Sequence, residues 1–300
     1  MGSHVSPSRS AHVVVLGNEK GGSGKSNVAM NVIVALIKSG HRVASIDTDS
    51  RQLSLTRYIE NRSRWSRKCG VELEVPTHFS VRLGEGEVRA EVEAREFEAF
   101  AEILDRLGER FDFVVIDTPG NDSYRMRLSH AMADTLITPV NDSFVDLDVL
   151  GRIDGDTNAV RTASQYAELV AAARRDRLAA GQRPLDWIVV RNRIATLASR
   201  NQKKIAEGLD RLAQLLGFRV VPGVSERVIF REFFPSGVTA FDTLDPAVLG
   251  VKPTMSHVAA RREIRELVDG LGLPVRVLAP PPLVPIETVD LALAQPVGSA

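Results

Sequence analysis

The run Gly17-Asn18-Glu19-Lys20-Gly21-Gly22-Ser23-Gly24-Lys25-Ser26 constrains the fold of this 300-residue chain more than any other segment. It follows the apolar stretch HVVVLG and precedes Asn27 to Lys38, where Val28, Val32 and Leu36 fall on one helical stripe. A glycine-rich turn from strand to helix suits phosphate. Gly21, Gly22 and Gly24 permit backbone shapes that aim successive amide hydrogens at phosphate oxygens, and the helix start contributes its positive dipole end. Ser23 completes this cradle. Lys25 is placed to neutralise the β and γ phosphates, and the Ser26 hydroxyl to ligate magnesium. The run departs from the pattern GxxxxGK[ST] because Glu19 stands at its first glycine position.

Further short apolar strands follow: RVASID, FDFVVID, DTLITPV, DWIVVRN and FRVV. Helical stretches between them include Glu91 to Arg110, Thr162 to Ala180 and Ser199 to Leu216. Strands alternating with helices predict an α/β chain with a mostly parallel sheet covered by helices on both faces, the architecture of a P-loop NTPase. In such a sheet ligands collect at the carboxyl ends of the strands. FDFVVID ends at Asp117, so its carboxylate is expected beside the phosphate loop, holding magnesium through water. The second strand ends in Asp47-Thr48-Asp49, where a carboxylate either orients an attacking water or serves turn chemistry alone. The strand-ending run RNR places Asn192, whose amide both donates and accepts, where it can meet a base edge. Arg193 beside it holds ribose, stacks on the base or is simply solvated.

The composition, 44% hydrophobic and 25% charged, excludes a fibrous, wholly disordered or supercharged protein. Apolar runs such as Val13 to Leu16 and Ile188 to Val190 are far shorter than the roughly 18 residues of a membrane span. Cys69 is the one cysteine, which rules out an intramolecular disulfide or a multi-thiolate metal site and fits a reducing cytoplasm. MGSHVSPSRSAH lacks a secretion-signal core, and residues 1–10 read as a cloning remnant or flexible lead. One ATPase-sized domain is expected over 11–272, followed by a proline-rich tail over 273–300. That tail has Arg276 as its only basic residue, which argues against a terminal amphipathic membrane helix.

Lysine plus arginine and aspartate plus glutamate both total 38, so the information lies in segments. Gly84 to Asp117 carries 11 acidic against 4 basic residues, whereas Arg191 to Arg231 carries nine basic against three acidic. The second segment suggests a face that neutralises DNA phosphates without reading sequence. Arg200, Lys203 and Lys204 share one helix side through spacings of three and four. A solvated helix face is the competing reading. A second basic cluster, Arg57, Arg62, Arg64, Arg67 and Lys68, surrounds Trp65 and suits a protein partner as well as it suits nucleic acid.

The loop residues from Lys20 to Ser26, with IDTDSRQ and VVIDTPG as the next motifs, resemble the deviant phosphate loop of the ParA/MinD ATPase family. VNDSFVDLDVLG, WIVVRNRIAT and VIFREFFP extend the likeness, over roughly residues 11 to 272, to its MipZ-type division-site regulators. The resemblance implies ATP and Mg2+ as cofactors and a homodimer formed with ATP. Lys20 corresponds to the additional lysine that reaches into the partner subunit's nucleotide site, Asp49 to the hydrolytic aspartate, Asp117 to the magnesium-side aspartate and Asn192 to the adenine-reading asparagine. Asn27 replaces the usual threonine. The implied activity is ATP hydrolysis that controls nonspecific DNA binding by the dimer and division placement by inhibition of FtsZ assembly. A ParB-like centromere-binding protein is the implied localising partner, and the location is cytoplasmic and nucleoid-associated, without membrane. The alternatives are a ParA-type partition ATPase and a monomeric P-loop small-molecule kinase or ligase. Lys20 speaks against the monomeric enzyme, which has no use for a lysine acting on a second subunit.

Overall fold

The computed structural model describes residues 11–80, 89–154, 160–195 and 200–274, without the side chains of residues 89–92, 94 and 95. The first half of the chain runs β1 (His12–Leu16), α1 (Lys25–Lys38), β2 (Val43–Asp47), α2 (Ser54–Cys69), β3 (Thr77–Ser80), α3 (Arg89–Arg110), β4 (Phe113–Asp117), α4 (Tyr124–Met132) and β5 (Thr135–Asn141). It continues α5 (Phe144–Leu147), β6 (Gly151–Ile153), β7 (Val160–Ala163), α6 (Gln165–Ala179), β8 (Asp186–Asn192), α7 (Arg200–Leu216), β9 (Arg219–Val221), α8 (Ile229–Ser236), α9 (Pro246–Leu249) and α10 (Met255–Leu271).

Seven strands form one sheet in the order β3-β2-β4-β1-β5-β8-β9. Every pairing in it is parallel. Successive side chains in a strand point to opposite faces, and both faces here are apolar. Val13 and Val15 of β1 pack with Phe100 of α3, Met126 of α4, Tyr166 of α6 and Leu209 of α7. Val14 and Leu16 pack the other way, with Val32 of α1, Tyr58 of α2, Phe233 of α8 and Ile264 of α10. Each fully buried aliphatic side chain contributes roughly 1.5–3 kcal/mol. The two faces of β1 therefore bind both helical layers to one central strand.

The register sets the functional edge. Leu16 and Asp47 both pair with Asp117, which brings the ends of β1, β2 and β4 level. The glycine-rich loop starts one residue beyond that line. β1 lies between β4 and β5, so connections leave it in opposite directions and open a crevice above its carboxyl end.

Three departures from the sequence expectations have plain physical causes. The helix anticipated from Thr162 begins at Gln165, because Val160–Ala163 pairs antiparallel with β6 and Ser164 caps the helix by accepting from Ala167 N. Thr77–Ser80 adds an edge strand that polar residues concealed, with His78 buried. Arg62 is not part of a surface cluster. Its guanidinium is fully buried, donating to Asp242 at 2.6 and 2.7 Å and to the Gly237 and Glu74 carbonyls at 3.0 and 2.6 Å. It ties α2 to the segment after α8. Residues 1–10 and the tail beyond residue 274 lie outside the described residues. Among the described residues no helix is long and apolar enough to cross a membrane.

Candidate functional site

The glycines of the loop do what glycine alone allows. Gly22 and Gly24 have φ of 75° and 95°, in the left-handed region, and Gly24 caps the start of α1. A Cβ on Gly120 would stand 2.8 Å from the Gly21 Cα, so the segment after β4 touches the loop through two glycines. Buried side chains hold the loop's entry. Tyr166 donates to the Gly17 carbonyl at 2.9 Å, and Asn18 donates to the Pro139 carbonyl at 2.7 Å while accepting from Lys20 N at 2.7 Å. Neither Asn18 nor Tyr166 was expected from sequence. Tyr166 lies 149 residues from Gly17, and no local signal joins them.

Over the loop lies a cavity of about 200 Å³ lined by Gly21, Gly22, Gly24, Lys25, Ser26, Asn27, Asp49, Asp117 and Arg193, among others. Lys25 is buried, donating to the Asn18 and Lys20 carbonyls at 3.1 and 3.2 Å. Burial lowers its pKa, opposed by the charges of Asp117 and Asp49. Asp117 is buried with Oδ1 lacking any hydrogen-bond partner. Burial first, and then the nearby Asp47 carboxylate, push its carboxyl up to about 8, against the Ser26 hydrogen bond and the Lys25 charge. An orphaned buried carboxylate oxygen beside a serine hydroxyl is an acceptor that hydrated magnesium satisfies, so the residues fit that ion. Among the described residues no group of three or more His, Cys, Asp or Glu makes a metal cage. Oxygen from a phosphate would have to complete the shell.

Asp49 forms a turn at the edge of the cavity. Its Oδ1 accepts from Arg51 N and Gln52 N at 3.1 and 3.0 Å, a turn-forming pattern, and the residue lines the cavity. Asp47 is buried beneath it. Asp47 Oδ1 accepts from Asp49 N at 3.0 Å, and Oδ2 accepts from Thr56 N and Oγ1, both at 3.0 Å. Asp47 thus joins the Asp49 turn to the start of α2.

A second cavity, about 120 Å³, shares Gly24, Asn27 and Arg193 with the first, is lined also by Asn192 and is closed by Val224, Ser225, Glu226, Arg227, Phe230 and Ile264, among others. Phosphate at the loop therefore has an adjoining space for a larger group. Asn192 Nδ2 donates to the Ser23 carbonyl at 2.8 Å, which makes the side chain a clasp on the loop as well as a wall. Arg193 has φ 54°, left-handed for a residue with a Cβ, and is exposed between the two cavities. Asn27 Oδ1 accepts from Asn31 Nδ2 at 2.8 Å. Val224, Ser225 and Glu226 carried no motif in the sequence, Arg227 was read only as part of a basic segment and Phe230 only within the family likeness of VIFREFFP.

Lys20 points away from Lys25's position. Its ammonium donates to the Val145 carbonyl at 2.6 Å and to Asp146 Oδ1 at 3.0 Å, within its own chain, at the outer rim of the loop. Arg200, Lys203 and Lys204 are exposed on α7 and line neither cavity. The wider basic segment is less basic than its composition. Arg191, Arg219, Arg227 and Arg231 pair with Asp142, Asp186, Glu263 and Glu226.

A sequence model of the family described as ATPase MipZ matches residues 12–275, and the chain belongs to that family. It is 27% identical over 166 residues to the septum site-determining protein MinD of Helicobacter pylori, an alignment covering 50% of this chain and 62% of that one. Its fold is that of apo McdA from Cyanothece, at a TM-score of 0.58 and 16% identity over 87% of this chain and 98% of that one. It is also that of MinD complexed with Mg-ADP from Pyrococcus horikoshii, at a TM-score of 0.54 and 17% identity over 87% and 97%. The ParA/MinD-type P-loop fold expected from the loop motifs is therefore present.

Proposed function

We propose that this MipZ-family chain is an ATP-dependent dimerisation switch that hydrolyses ATP. On this reading it binds DNA nonspecifically as the dimer, is localised by a ParB-like centromere-binding protein and positions division by inhibiting FtsZ assembly at the nucleoid. The observation that carries the reading is the pairing of two lysines on one loop. Lys25 lies buried at the cavity floor, whereas the Lys20 side chain is 37% exposed at the rim, where a second subunit could approach it.

The chain's own residues divide the work. The loop amides and Lys25 would bind the phosphates, while Ser26 and Asp117 would hold magnesium, which supplies charge neutralisation at the transferred phosphoryl. Asp49, fixed through its backbone by Asp47, would orient the water. Asn192, Arg193 and Asn27 would flank the nucleoside. Lys20 would leave Asp146 for the nucleotide of the partner subunit. Arg200, Lys203 and Lys204 would meet DNA phosphates, and two subunits would present two such faces, raising effective concentration.

Measuring particle size with ADP and with a nonhydrolysable ATP analogue tests the switch. The dimer is expected with the analogue alone. Lys25→Ala should abolish that dimer and weaken nucleotide binding while the fold survives, because the charge facing the terminal phosphates is gone. Undiminished dimerisation of the variant would refute the role given to Lys25. In the same samples, the parental dimer should suppress FtsZ polymer in a sedimentation assay, and the Lys25→Ala chain should not.

A further inference from the structure

The 120 Å³ cavity owes one wall to the segment from Pro222 to Arg227, which follows β9 without regular structure of its own. Backbone bonds lay it beside the residues after β8: Val224 N donates to Arg191 O at 2.9 Å, Ile194 N to Val224 O at 3.0 Å and Glu226 N to Ile194 O at 2.8 Å. Those bonds fix the main chain. The side chains are fixed from elsewhere, by Glu263 on α10. Its Oε1 accepts from Ser225 Oγ at 2.9 Å and Arg227 Nη2 at 2.6 Å, and its Oε2 accepts from Ser225 N at 3.1 Å and Arg227 Nε at 3.3 Å. The Glu263 side chain is 12% exposed, so these bonds form largely out of water. Burial works to raise its carboxyl pKa, and the donors from Arg227 and Ser225 outweigh burial and hold it below the usual value.

Glu263 does not line the cavity, but Ser225, Arg227 and its own neighbour Ile264 do. Arg227 is long and rich in rotamers. Released from a fork-on-fork carboxylate pair, its guanidinium would sample the cavity itself and compete with whatever docks there. We propose that Glu263 is a positioning residue for the nucleoside end of the nucleotide, setting affinity and base preference by holding Ser225 and Arg227 back as a wall. This rests on the proposed ATP site. It assigns Glu263 no contact with the phosphates, and that separation makes the idea testable.

Calorimetric titration of the parental chain, Glu263→Gln and Glu263→Ala with ATP, GTP and inorganic tripolyphosphate distinguishes the cases. Tripolyphosphate fills the loop and leaves the second cavity alone. Both variants should bind ATP about tenfold more weakly, as expected for loss of a charge-assisted hydrogen bond. The margin between ATP and GTP should shrink, tripolyphosphate binding should stay parental, and KM for ATP should rise with kcat retained. Parental ATP affinity in both variants would overturn the proposal. So would an equal loss for tripolyphosphate in the isosteric Glu263→Gln, because Glu263 would then support the whole loop or the fold. If the parental chain binds tripolyphosphate but not ATP, the nucleoside reading of the cavity is wrong. If it binds neither, the ATP site itself is wrong.

Discussion

Gly24 is glycine for two independent reasons, a φ of 95° and a Cβ position 2.1 Å from Asn192 Nδ2. Gly24→Ala should therefore cost the left-handed penalty of about 1–2 kcal/mol and, in addition, push Asn192 off the Ser23 carbonyl. Chemical denaturation of Gly24→Ala, Asn192→Ala and the double variant separates these effects. The double variant should recover the crowding part and keep the conformational part, so the two single effects should not add. Simple additivity would mean that Asn192 does not press on the loop. The glycine was legible in the sequence because its requirement is local. Its clasp was not, since the Ser23 to Asn192 bond spans 169 residues and an asparagine at a strand end announces no partner. Asp49 shows the same limit. Its turn bonds are local and readable, whereas the buried Asp47 support beneath it depends on where α2 begins.

At the scale of elements, the strands of the parallel sheet were readable because their interiors are nearly all apolar, and β3 was missed because THFS is not. The α7 helix shows how much composition alone conceals. Ile205, Gly208, Leu209 and Leu212 bury one stripe, which turns Arg200, Lys203 and Lys204 outward. Four arginines of the surrounding segment are paired with carboxylates, so any DNA contact would have to rest on fewer cations than the charge count suggests. Replacing Arg200, Lys203 and Lys204 by alanine should lower DNA affinity and flatten its dependence on salt, because fewer counterions are released. ATP-driven dimerisation should persist, since none of the three lines a cavity. Fluorescence anisotropy across a salt series checks this. Unchanged affinity and slope would mark the α7 face as merely solvated.

For the whole molecule, the two helical layers meet the sheet through buried groups that must stay uncharged, which couples stability to pH. His130 is fully buried against Gly17, with its ring edge-to-face on Tyr166 at 5.6 Å and neither nitrogen hydrogen-bonded. Burial lowers its pKa to about 4, opposed by the Asp122 charge, and burial does the same to His78. The sign follows from proton counts. Between about pH 6.5 and pH 4 the unfolded chain binds a proton at each histidine and the folded chain does not, so stability falls as pH falls through that window. Above the unfolded value the penalty vanishes. A shift of this size corresponds to about 2 kcal/mol per histidine by pH 5 and about 3 kcal/mol by pH 4. His130→Leu, which keeps an apolar side chain of similar bulk on Gly17, should lose correspondingly less stability between pH 7 and pH 5 than the parental chain. His78, bonded to Ser45 and Thr56 at 2.9 Å each, would still titrate in the variant, so part of the slope should remain. Urea denaturation at both pH values measures the difference directly. Identical pH slopes for parent and variant would mean that His130 finds a proton or a partner in the folded chain, and that the floor under the phosphate loop is wetter than its burial implies.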